Sequence, residues 1–220
     1  MPTGLNTLDL SSNSLTGTIP PWLGNMTGLY SLNLSNNALT STIPAEIRNL
    51  QILGNLDLHS NYLKGPITAV FSMKSRSPEG NFEIVNLSHN NFMASIPLKV
   101  GDQKLMEQLV LSYNSLSGSI ASSIGTIQRL KVLDLSSNTL SGSIPNTLGS
   151  LAQLNTLELN ENRLSGGIPN AFLNLTSLLQ LNLSHNSLSG RIPQGILLQK
   201  FPVSSYSDNN GLCGNPLPDC

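Results

Sequence analysis

Few side chains in this sequence could do chemistry, and their spacing limits what kind. Cys213 and Cys220 both fall in the last eight residues. Such a pair could be half a zinc site, a redox couple or a disulfide. A zinc site needs four ligands, and no histidine lies nearby. A redox couple is normally spaced C-x-x-C. A small terminal disulfide is the best reading, and it implies an oxidising compartment. On the chain-entropy model it contributes about 2–3 kcal/mol. Asp134 and Glu158 could imitate a pair of catalytic carboxylates, and His59, His89 and His185 could carry protons or metals. No phosphate-cradling G-x-x-x-x-G-K-[ST] loop is present. Five sequons complete the set, at Asn25, Asn33, Asn86, Asn174 and Asn182. Three of these merely spell a recurring L-N-L-S phrase. Asn25 and Asn174 stand outside it and are the two expected to carry glycans in a secreted protein.

The elements that must position these groups are set by repetition. Asn13, Asn37 and Asn61 stand 24 residues apart. After one step of 29, so do Asn90, Asn114, Asn138, Asn162 and Asn186. Each sits in one phrase, as in Leu8-Asp-Leu-Ser-Ser-Asn13-Ser-Leu15 and Leu133-Asp-Leu-Ser-Ser-Asn138-Thr-Leu140. A period of 20–29 residues carrying L-x-L-x-x-N-x-L marks a leucine-rich-repeat solenoid. Stretches such as Thr156-Leu-Glu-Leu-Asn160 alternate polar and apolar, which predicts a strand with one buried face. The asparagine amides are expected to stack as a ladder that satisfies the turns. A glycine (Gly17, Gly65, Gly118, Gly142, Gly166, Gly190) then frees a tight bend. A proline three residues after that position (Pro20, Pro44, Pro97, Pro145, Pro169, Pro193) sets up a short helical turn. Ser41 and Ala94 replace the glycine, and Thr68 and Ala121 the proline, which should loosen the bend locally. The long step places a polar insertion at 72–81. It reads as a tolerated surface loop or as a partner-contact loop.

Charged residues make up 10% of the chain and the net charge is −1. That excludes a basic stripe for nucleic acid and a polybasic membrane surface. No apolar run reaches the roughly 18–20 residues of a transmembrane helix. The opening residues lack the basic and apolar regions of a signal peptide.

The unit L-x-x-L-x-x-L-x-L-S-x-N-x-L-S/T-G-x-I-P resembles the plant-type leucine-rich repeat of receptor-like kinases, receptor-like proteins and polygalacturonase-inhibiting proteins. The tail from Phe201, with Asn209-Asn-Gly-Leu-Cys213-Gly-Asn-Pro-Leu-Pro-Asp-Cys220, resembles their C-terminal cap. The resemblance implies an α/β-type solenoid, a right-handed curved superhelix. Its concave side would be a parallel β-sheet, its convex side short strands and 3-10 or helical turns. Eight repeats would occupy 1–199 and a capping segment 200–220. It also implies an extracellular or cell-surface recognition module for a protein, peptide or glycan, with a possible co-receptor, in signal transduction or plant defence at the plasma membrane. Family ectodomains usually begin with a cysteine-paired cap, and here the chain starts almost at the first strand. The expectation is the membrane-proximal part of a larger ectodomain, or a short member lacking its first part, whose Leu5, Leu8 and Leu10 fray or self-associate.

Stacked strands lie about 4.7–4.9 Å apart, so outward residues form columns. Ile84, Val110, Val132 and Tyr113 would place an apolar, aromatic patch in the middle of a polar strip, a recognition signature. Asp134 and Glu158 would be neighbours in one column, with Glu161 beside them and His185 one rung beyond, so like charges await a basic ligand group. The histidines are too scattered to share a metal, and an open face cannot exclude water from a carboxylate pair. No enzyme activity, cofactor or metal is therefore expected. A secreted inhibitor of cell-wall-degrading enzymes is the alternative. An ice-binding solenoid using an outward serine column (Ser11, Ser35, Ser88, Ser112, Ser136, Ser184) ranks last.

Overall fold

The computed structural model of the chain describes residues 4–72 and 77–220. Among the described residues seventeen short strands form two sheets. The odd-numbered ones up to β15 make one side: β1 (Thr7–Asp9), β3 (Ser31–Asn33), β5 (Asn55–Asp57), β7 (Ile84–Asn86), β9 (Gln108–Val110), β11 (Val132–Asp134), β13 (Thr156–Glu158) and β15 (Gln180–Asn182). The other side comprises β2 (Thr16–Thr18), β4 (Ala38–Ser41), β6 (Tyr62–Gly65), β8 (Asn91–Ala94), β10 (Ser115–Gly118), β12 (Thr139–Ser143), β14 (Arg163–Gly166), β16 (Ser187–Arg191) and β17 (Gly211–Cys213). Neighbours within each sheet are parallel and consecutive, so the chain climbs one rung per coil. This is an α/β solenoid, and its concave sheet is open rather than closed into a barrel.

The leucines turn inward as the alternation requires. Leu109, Leu133 and Leu157, the middle residues of their strands, are fully buried, and so are Leu111, Leu135 and Leu159. Short 3-10 helices close the convex side, as at Pro21–Asn25, Ala45–Asn49, Asn146–Ser150 and Asn170–Asn174. In most coils an extended proline, or Ala121, precedes the helix and fixes where it starts. At Thr68 the turn is instead α-helical, α1 (Thr68–Phe71); a second α-helix, α2 (Ile196–Gln199), opens the capping segment. The bend survives the glycine replacements, because Ser41 and Ala94 take φ values of 73° and 72° beside the 75–87° of the glycines at Gly118 and Gly190.

The asparagines join coil to coil. Asn138 shares its amide N–H groups among the carbonyls of Leu135 and Ser136 in its own coil and Leu111 in the coil before (3.0–3.2 Å). Its oxygen accepts from the Leu116 N–H of that earlier coil (2.9 Å). A ninth ladder residue escaped the sequence reading. Asn209 repeats the pattern toward Leu183 and Leu188, and β17 pairs with β16. The capping segment is thus a ninth coil in abbreviated form, with Cys213 and Cys220 bonded at its end.

Of the insertion, residues 73–76 lie outside the described residues. Phe71 and Phe82 meet edge to face at 6.3 Å and keep the core continuous across it. In the next coil Gln103 stands, buried, where other coils carry Met26, Leu50, Ile127, Leu151 or Leu175. Its side-chain oxygen accepts from the Asn81 and Phe82 N–H groups (3.2 and 3.3 Å), which the returning loop presents to the interior.

Candidate functional site

The concave strands are three residues long, and the register puts like positions side by side. Ile84 and Val132 both pair with Gln108, so they flank it in the first column. Val110 lies between Asn86 and Asp134 in the middle column. Tyr113 follows β9, half exposed at 51%. Its ring stacks on His89 with centroids 4.2 Å apart and planes 11° from parallel. His89 and Tyr113 follow the paired strands β7 and β9, so they lie on adjacent rungs. The backbone explains the stack. The residue before each ladder asparagine is left-handed, with φ of 52° at His89 and 53° at Tyr113, so every such side chain leaves the coil in one direction. The same holds for Glu161 and His185 (55° and 52°).

The acidic residues also meet. Asp134 and Glu158 are register partners. Asp134 accepts from the Ser136 N–H and hydroxyl (3.0 and 2.7 Å). Glu158 is pushed up to about 7, first by burial and then by the Asp134 charge, against a weaker opposing hydrogen bond from Asn182. Glu161 accepts from the Ser137 hydroxyl at 2.7 Å. His185 does not pair with Glu161; its Nε2 faces Asp208 of the capping segment at 3.3 Å.

The serine column is not outward. Ser35, Ser88, Ser112, Ser136 and Ser184 are buried. The hydroxyls of Ser35, Ser88 and Ser184 donate to Asn33, Asn86 and Asn182. The strands end after three residues and the chain curls inward, which breaks the alternation there. The same bonds occupy three of the sequon asparagines, whereas Asn25 and Asn174 are exposed at the ends of convex 3-10 helices.

One feature carried no sequence signal. Between β15 and the capping segment lies a pocket of about 480 Å3, lined by the apolar Leu179, Phe201 and Pro202 and by the polar Glu158, Asn182 and His185. The capping segment does not spell the repeat phrase, so no periodicity could place Phe201 opposite Glu158.

Among the described residues no helix is long and apolar enough to cross a membrane. A family model described as leucine rich repeat matches residues 3–63 and 105–164, and a second of that description matches 177–197. The chain belongs to the leucine-rich-repeat family. Comparison with curated proteins gave no match. Among solved structures, this leucine-rich-repeat chain is similar to a plant ice-binding protein at 33% identity, covering 99% of this chain and 68% of that one, with a TM-score of 0.84. It is similar to the Arabidopsis receptor kinase HAESA, solved with the peptide hormone IDA and the co-receptor SERK1. There the identity is 33%, the coverage 96% and 38%, and the TM-score 0.75. It is also similar to the plant peptide hormone receptor RGFR1, solved with RGF2, at 29% identity, 95% and 36% coverage and a TM-score of 0.73. The chain thus spans little more than a third of each receptor's length.

Proposed function

We propose that this leucine-rich-repeat chain is the extracellular recognition module of a plant receptor-like kinase or receptor-like protein, taking a peptide or protein ligand on its concave face. The observation that carries this reading is the His89–Tyr113 stack beside Ile84, Val110 and Val132. It sets a rigid aromatic anchor and an apolar patch amid polar columns, the usual make-up of a binding hot spot. The likeness to ectodomains solved with peptide hormones supports the same reading. The acidic group Asp134, Glu158 and Glu161 would complement basic residues of the ligand. The central patch, with Tyr113 half exposed, is open to water, which suits binding rather than catalysis. Capture from plant extracellular fluid by the intact chain, set against a Tyr113→Ala, Val110→Asp variant of unchanged melting temperature, tests it. Loss of partners by the variant is expected; identical partners would remove the central patch from the site.

A second reading has one observation in its favour besides the likeness to an ice-binding protein. The other sheet exposes Ser115, Ser117, Ser143, Ser165, Ser187 and Ser189, a run of hydroxyls. Tyr62, Met93 and Arg163 interrupt it. Measurable thermal hysteresis by the purified chain would favour this reading; its absence at high concentration would end it.

A further inference from the structure

We infer that the pocket between β15 and the capping segment takes a basic side chain of the ligand, its charged head against Glu158 and its aliphatic stem against Leu179 and Phe201. The inference rests on the concave-face reading and gives that ligand a chemical feature.

The shape and polarity of the pocket lead to it. One wall is apolar: Leu179 is 73% exposed, and Phe201 and Pro202 stand beside it. A pocket of about 480 Å3 lined by both an exposed leucine and a carboxylate suits neither a purely polar nor a purely apolar guest. Arginine and lysine combine both characters, since they lay their methylenes along apolar surface and hold the charge beyond it. The opposite wall supplies the anion. Glu158 is half-buried and register-paired with Asp134, so two carboxylates repel across one rung. A guanidinium or ammonium group would relieve that repulsion and replace the water that Glu158 has lost.

No cation of the chain does this among the described residues. Lys131 pairs with Glu107 at 2.7 Å, and Arg191 with Asp219 at 3.5 Å. Lys200, next to Phe201 in the chain, donates to the Leu178 carbonyl at 2.7 Å and lies over the Phe201 ring. The titratable groups that line the pocket are Glu158 and His185; Asp134 of β11 is the register partner of Glu158, and Glu161 comes just after β13. His185 follows β15, and Asp208 and Lys200 come from the capping segment. His185 and Asp208 face each other, which leaves the three carboxylates on the strand side to set the sign.

Binding should then be coupled to the proton on Glu158. That carboxyl is held near pH 7, so a cation and a proton compete for it.

The test uses argininamide, lysinamide and the neutral isostere citrullinamide, titrated into the intact chain while backbone amide shifts are read. Argininamide is expected to move the amides of Glu158, Asn182, His185 and Ser207, and citrullinamide to bind at least about tenfold more weakly. Glu158→Gln, with folding checked by its melting temperature, should lose the same factor. Leu179→Ser should weaken both arms alike, by removing the stem's wall. Affinity for argininamide should fall between pH of about 8 and about 5.5. Equal binding of argininamide and citrullinamide, shifts confined to another surface, or no shifts at all would each overturn the proposal. The two readings fail separately. If the Tyr113→Ala, Val110→Asp variant loses its partners while argininamide leaves the pocket silent, the central patch stands and the basic-side-chain pocket falls.

Discussion

Glu158 shows how a single residue can serve binding at the expense of the fold. Its carboxyl sits near 7 in the folded chain against 4.5 for the free group, because burial and Asp134 both disfavour its charge. Between those two values the folded state holds a proton that the unfolded state has released. Stability must therefore fall as pH rises through that window, and remain lower above it. The side chain is only half-buried, so solvent screening reduces the penalty to about 1–2 kcal/mol. Glu158→Gln is expected to be more stable than the parent at pH of about 8 by that amount, and equal to it at about pH 4. Urea melts across the range check this, and parallel pH profiles for the two proteins would contradict it. Residues kept despite such a cost are commonly those a ligand needs.

At the scale of the element, the asparagine ladder links each coil to the one before. Asn138→Leu removes four hydrogen bonds and strands the Leu116 N–H in a buried setting, while the Leu111 carbonyl keeps only its bond from Asn114. A loss on the order of 1–3 kcal/mol is expected. Asn13→Leu should cost much less, because exposed Asn13 bonds only to Leu10 and Ser11 of its own coil. Chemical denaturation of the two variants gives the comparison; equal losses would mean the bonds between coils carry no weight. The ladder and the strand register were legible in the sequence because both depend on period alone. Thr7↔Ser31 and Asp134↔Glu158 fall where counting puts them. What could not be read depends on departures from the period. The serine column was assigned outward by extending a two-residue alternation past strands that end after three residues. Asn209 was missed because the Leu-Ser context of the ladder is absent around it. The Tyr113 patch was readable as a list of residues, but its stacking on His89 follows from a left-handed backbone that no residue type there announces.

For the whole molecule, the two ends differ in how they meet water. The capping segment covers the eighth coil and buries Tyr206, whose hydroxyl donates to the Leu198 carbonyl at 2.6 Å. At the other end Leu10 and Leu15 are 40% and 38% exposed, while Leu34 and Leu39, one coil on, are 3% and 5%. In a stack where each coil is held by its neighbours, protection should increase away from the coil whose leucines are exposed. Hydrogen exchange of this chain is expected to be fastest in β1 and slowest around β9 to β13, with the terminal coil at Tyr206 intermediate; uniform protection along the stack would refute a nearest-neighbour account. The same bookkeeping reaches further. Because every 24-residue step ends on an identical set of donors and acceptors, a coil can be deleted or duplicated and the cut faces still match. Gln103 is the exception. Its oxygen is shaped to the loop returning at Asn81 and Phe82, so that lengthened turn and the glutamine above it must be inherited, or grafted into another scaffold, as an inseparable pair.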